Sequence, residues 1–201
     1  MPTRPTYQTA DLVTRAQGGD RDAYDRLFAL AADRVLLFIR LRLGSALAAK
    51  LEPMDVLQET YTQALESFSR FDYRGEKSFA RWLCRIAENR LRGLADYHGA
   101  LKRGSGSEEG SVTRALERVA EVGTGPVTGA ARIELRETLA GALGRLPENE
   151  REVLLLRFFQ GRELDDIAVC LGRSVSSVRR LIGRATRALG KRIDGRVEES
   201  A

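Results

Sequence analysis

The chain has 201 residues, enough for one or two domains, with 43% apolar and 30% charged residues and a net charge of +5. A pI near 9.5 favours a polyanionic partner, nucleic acid or an acidic membrane surface. One histidine and two distant cysteines, Cys84 and Cys170, speak against a Cys/His metal site, and no apolar run is long enough for a span or a leader core, so a soluble, cytoplasmic chain with no metal and no cofactor is expected.

Residues 1–9 hold two prolines and read as a flexible tail. A helical pattern starts at Asp11 and breaks at Gly18-Gly19, after which Asp20 can cap a helix carrying Ala23, Leu27, Leu30 and Ala31 on one face. The apolar stretch Val35–Leu43 reads as a buried helix whose Arg34, Arg40 and Arg42 snorkel to its rim. Pro53 suits the first turn of the next helix. There Val56, Leu57, Thr60, Tyr61, Ala64, Leu65 and Phe68 share one side, and Asp55, Gln58, Glu59, Thr62, Gln63 and Glu66 the other. A face of acids and amides without a base, in a basic protein, fits either a docking surface or plain solvation.

Between Ser67 and Ser78 aromatics alternate with bases, as unstacked nucleobases and phosphates require. Taken singly, Phe68, Phe71 and Tyr73 also read as core anchors. The following helix sets Phe79, Trp82, Leu83, Ile86, Ala87, Leu94 and Tyr97 on an apolar stripe, against Arg81, Arg85, Glu88, Asn89 and Arg92. Arg90 falls on the stripe and is read as structural. Cys84 and Cys170 lie within helical patterns and read as small, partly buried hydrophobes.

From Gly99 to Gly129 seven glycines mark a linker, within which 112–122 can form a short helix. Leu135, Leu139, Leu143 and Leu146 form another amphipathic helix. Pro147 and three acids open the next, which packs Val153, Leu154, Leu156 and Phe158 and stops at Gln160-Gly161. A short helix from Glu163 to Cys170, a Gly172 turn, a Ser174 cap and a long helix to about Ile193 make a helix-turn-helix. Its long helix sets Val175, Val178, Leu181, Ile182, Ala185 and Leu189 on one face. Ser176, Ser177, Arg180, Arg184, Arg187 and Lys191 lie opposite, with Arg179 on the flank, a layout suited to major-groove entry. The fold expected is all-α, two small helical domains joined by a flexible linker: tail 1–9, domain 10–100, linker 101–132, helix-turn-helix domain 133–195 and tail 196–201.

In order and spacing, Asp55-Val-Leu-Gln-Glu-Thr-Tyr61, Phe79-Ala-Arg-Trp-Leu-Cys-Arg-Ile-Ala-Glu-Asn89, Leu146-Pro-Glu-Asn-Glu-Arg-Glu-Val-Leu154 and the helix-turn-helix resemble bacterial sigma-70 family factors of the extracytoplasmic-function (ECF) class. The resemblance implies an alternative sigma factor that binds bacterial core RNA polymerase through Asp55, Gln58 and Glu59, with Thr62 and Gln63 on the same face. It implies −10 promoter DNA contacts from Phe71, Tyr73, Arg74, Lys77, Arg81, Arg85, Asn89 and Arg92. Contacts to the −35 element fall to Ser174, Ser176, Ser177, Arg179, Arg180, Arg184 and Arg187. It also allows an anti-sigma partner, though no residue shows one. A dimeric repressor using the same helix-turn-helix is the rival, and would leave the acidic face without a role. A nucleic-acid-processing enzyme needs clustered carboxylates or a placed histidine; the chain offers Asp165-Asp166 and a lone His98, so no enzyme is expected.

Overall fold

A computed structural model describes residues 5–43, 50–98 and 129–199, with side chains over 9–43, 50–94 and 137–193. The described residues form helices and turns and no strand. The chain divides into two compact units, residues 1–100 and 101–201.

The first unit is built from α1 (Pro5–Gln17), α2 (Arg21–Arg42), α3 (Pro53–Ser67) and α4 (Ser78–His98), with a 3-10 turn at Phe68–Arg70. Helix α1 reaches back to Pro5, into the segment expected as tail, because a proline's fixed φ suits a first helical turn. It ends where Gly19 takes φ +93°. Asp20 caps α2, accepting the Ala23 N–H at 3.0 Å. That amide first, and Arg15 second, hold its carboxyl below the usual carboxylate range. Helix α2 is the hub and lies against α1, α3 and α4. Leu27, Phe28, Ala31, Val35, Phe38 and Ile39 are buried along it.

Arg34 does not snorkel as expected. It stands in the row Leu27, Ala31, Arg34, Phe38, which points inward, so its Nε is buried beside Cys84. Burial pulls its guanidinium below the ordinary value, partly opposed by Cys84. Cys84 is itself fully enclosed, and burial pushes its thiol up to about 12. Both cysteines were expected to be partly buried; Cys170 is half-buried, and Cys84 is enclosed more fully than that.

Rings fill the centre of the unit. Phe28 stacks on Tyr24 at 4.3 Å and meets Tyr61 and Phe79 edge-on at 4.6 and 5.0 Å. Phe71 lies 5.5 Å from Phe79 and 4.9 Å from Trp82. Below them Glu88 of α4 is buried and takes a bidentate pair from Arg42 of α2, Nε at 2.7 Å and Nη2 at 2.9 Å. Arg92 adds its Nε at 2.9 Å.

The second unit holds α5 (Gly129–Gly144), α6 (Glu148–Leu154), α7 (Leu164–Leu171) and α8 (Val175–Glu199). Helix α8 packs on the other three. Helix α6 widens into a π turn over Leu155–Phe159, where the Gln160 N–H reaches the Leu155 carbonyl at 3.0 Å. The wide turn shifts the register, so that Phe159 rather than the expected Phe158 faces the interior. Phe159 is buried and Phe158 only partly so. Helix α8 continues past Ile193 to Glu199, and the expected helix at 112–122 lies outside the described residues.

Glu88→Ala takes the bidentate carboxylate from a mostly buried Arg42. It is expected to destabilise the first unit by about 3 kcal/mol, measured by urea unfolding of the full chain followed through Trp82.

Candidate docking and nucleic-acid surfaces

Pro53 at the head of α3 and the inward row Val56, Leu57, Thr60 and Ala64 fix which side of that helix faces outward. The outward side presents Asp55, Gln58, Glu59, Thr62 and Gln63. All five line one open depression of about 530 Å³, together with Arg90 from α4. Arg90 Nε donates to Glu59 Oε2, and this bond first of all raises the guanidinium's proton affinity. The sequence pattern missed Arg90's place on this surface. The signal was there in a cation standing on an apolar stripe, where α4 leaves the core and meets the edge of α3.

Leu65 departs from its expected place on the packed side and is 58% exposed, as Met54 is at 52%. At 100° per residue Leu65 sits at the margin of the apolar arc, next to Gln58 on the wheel. The depression therefore has a cation on one margin and two apolar side chains near the other.

The loop between α3 and α4 is tied down from several sides. Gln17 Nε2 at the end of α1 donates to the Phe71 carbonyl at 2.7 Å and to the Phe68 carbonyl at 3.3 Å. Gly75 takes φ +109°, and Ser78 Oγ donates to its carbonyl at 2.6 Å and accepts the Arg74 N–H at 3.1 Å. Arg74 is exposed and pairs with Asp72 at 2.7 Å. Tyr73 is half-buried, and its Oη has no hydrogen-bond partner among the described residues. Burial, then Glu76, raises that phenol above its ordinary value. Lys77 and Arg81 are half-buried, while Arg85 and Asn89 are exposed. Phe71, expected among the DNA contacts, is instead buried against Trp82 and Phe79 and supports the loop from beneath. Arg92 leans back to Glu88, its side chain 42% exposed.

In the second unit the turn before α8 is a Schellman motif. Gly172 takes φ +62°, its N–H meets the Val169 carbonyl at 3.3 Å, and the Arg173 N–H meets that of Ala168 at 2.9 Å. Ser174 Oγ then accepts the Ser177 N–H at 3.3 Å and lies 3.1 Å from Ser176 Oγ. Val178, Leu181, Ile182, Ala185 and Leu189 are buried, so Ser176, Arg179, Arg180, Arg184 and Arg187 emerge on the exposed side. Ser177 is half-buried at the helix tip. Arg184 Nε lies 3.4 Å from Glu150 Oε1 of α6, which sets the lean of its exposed side chain.

No group of three or more potential metal ligands occurs among the described residues, and none of their helices is long and apolar enough to cross a membrane. The described surfaces are a carboxylate-amide depression on α3 and exposed arginines on α8.

Known proteins share this layout. The family model described as Sigma-70 region 2 matches residues 31–95, from α2 into α4, and Sigma-70, region 4 matches 142–191, from α5 into α8. The RNA polymerase sigma-H factor of Pseudomonas aeruginosa is 30% identical over 203 residues, covering 96% of this chain and 97% of that protein. The ECF RNA polymerase sigma factor BldN of Streptomyces coelicolor is 30% identical over 181 residues. That match takes in 90% of this chain and spans 64% of BldN's length. A solved structure of CnrH in complex with the cytosolic domain of CnrY aligns at 25% identity over 94% of this chain and 98% of that one, with a TM-score of 0.48.

Gln17→Ala removes both side-chain donors to the loop carbonyls, a loss of about 1 kcal/mol of local stability. The expected result is faster amide hydrogen exchange across residues 71–78, with exchange in α8 unchanged.

Proposed function

The chain belongs to the sigma-70 family of RNA polymerase sigma factors, in the extracytoplasmic-function class, and from that premise we propose how its surfaces bring polymerase to a promoter. It is an alternative sigma factor that directs transcription initiation. The α3 depression lined by Asp55, Gln58, Glu59, Thr62 and Gln63 docks on a basic helical surface of core RNA polymerase, with Met54 and Leu65 giving apolar contact beside it. The loop and α4 hold the −10 element through Tyr73, Arg74, Lys77, Arg81, Arg85, Asn89 and Arg92. Tyr73, whose hydroxyl has no partner among the described residues, stacks on an unpaired base. Phe71 keeps the loop in shape and does not touch DNA. Helix α8 enters the major groove at the −35 element through Ser176, Ser177, Arg180 and Arg184, with Arg179 and Arg187 on phosphates and Ser174 at the tip.

No bond is made or broken by the chain, which works in the cytoplasm by binding alone. Each unit offers few DNA contacts, so promoter affinity is low in the free protein. Docking holds both units on one particle, and the first DNA contact then raises the effective concentration of the second. Extruding a base costs about a few kcal/mol, offset by contacts along the loop. One observation carries this reading: the five polar positions of α3 gather round a single depression, in a chain whose last helix is a basic recognition helix. A repressor working without polymerase has no use for that depression.

Two measurements test the two halves. Asp55→Lys with Gln58→Ala, which leaves Glu59 and Arg90 in place, is expected to weaken association with purified core polymerase at least about tenfold, while circular dichroism shows an unchanged fold. Arg180→Ala is expected to cost about 1–3 kcal/mol on a −35 element and less on a scrambled one, measured by fluorescence anisotropy with the polymerase complex. Equal loss on both sequences makes Arg180 a phosphate contact.

A further inference from the structure

Arg90 does not fit the picture of a purely acidic docking face. It comes from α4, yet it lines the same depression as the five polar residues of α3, and among the described residues it is the one basic side chain that does so. Its Nε donates to Glu59 Oε2 across the seam between the two helices. Both partners remain accessible, with side-chain exposures of 33% for Arg90 and 46% for Glu59. An ion pair this open to water is weakly held and readily exchanged for another.

We propose that Arg90 is a built-in competitor for the docking surface: its guanidinium occupies the carboxylate of Glu59 that a basic side chain of core RNA polymerase takes over on docking. This rests on the reading of the α3 face as the polymerase-binding surface and adds a residue that sets its strength. The occupant is chosen by charge. Asp55, Glu59 and Glu66 stand along the outward side of α3 with only amides and Thr62 between them. A partner cation approaching Glu59 must displace Arg90, which then turns its guanidinium to solvent. Polymerase affinity is thereby held below what the bare carboxylate face would give, which keeps an alternative factor exchangeable for others on the same enzyme.

The test is a titration of purified core polymerase with the full chain and its variants at low and high salt, with thermal unfolding as the check on folding. Arg90→Ala is expected to bind about three- to tenfold tighter than the parent at low salt, with the gain shrinking as salt rises. Glu59→Gln in the same chain is expected to abolish that gain, because the contested carboxylate is gone. Arg90→Gln removes the charge with less loss of volume and is expected to behave like Arg90→Ala, so it keeps the test open if the alanine variant unfolds. Unchanged or weaker binding of a folded Arg90→Gln protein overturns the proposal, and weaker binding would make Arg90 a direct contact to an acidic group of the polymerase. If instead Asp55→Lys with Gln58→Ala also leaves affinity unchanged, the docking reading itself fails, so the two failures are distinguishable.

Discussion

Phe28 touches rings from α2, α3 and α4 at once, and that shared cluster is what keeps the outward faces of α3 and α4 in a fixed relation. Tyr61 comes from α3, Phe68 and Phe71 from the turn after it, and Phe79 and Trp82 from the head of α4. Each such ring pair is worth roughly 0.5–1.5 kcal/mol beyond simple burial. The distinctive effect is geometric, because flat rings meeting edge to face leave little room for one helix to slide past another. A protein that grips α3 therefore also determines where the loop and α4 stand. The Tyr61 hydroxyl adds a polar tie, donating to the Phe28 carbonyl at 3.2 Å.

A second constraint is electrostatic. A basic face attracts polyanions but repels itself, and each unit sets a mostly buried carboxylate against arginines of its basic helix or of the helix beside it. In the first, Glu88 binds Arg42 and Arg92; in the second, Glu150 lies 3.4 Å from Arg184. A buried acid costs desolvation and is tolerated because more than one charged donor meets it in the first unit. These carboxylates aim arginines without cancelling the outward field, since Arg85, Arg179 and Arg180 remain exposed.

Much of this was legible in the chain itself. The α3 wheel separates Asp55, Gln58 and Glu59 from Val56 and Leu57, and the structure keeps that division. The Gly172 turn and Ser174 cap follow from ordinary helix chemistry, and both are present. What was hidden depends on neighbours that no local pattern contains. Arg34 was taken for a rim residue, yet its row points inward; Leu65 was placed in the core, yet it lies where the apolar arc runs out. Phe158 and Phe159 exchanged places because one wide turn shifts the register by a residue. Phe71 and Arg90 were misjudged for the same reason from opposite sides. An aromatic in a basic loop can support rather than display, and a cation on an apolar stripe can reach past the core to another helix. Gln17 left no trace in sequence, since its two acceptors lie more than fifty residues away.

The unequal burial of the two cysteines has a practical side. Cys84 is fully buried and burial raises its thiol, whereas Cys170, near the end of α7, is half-buried with its sulfur 3.6 Å from Arg162 Nη1. A maleimide dye added to the native chain thus has one expected address, close to the turn that leads into α8. The turn before α8 can thereby carry a label without first engineering a cysteine in or out.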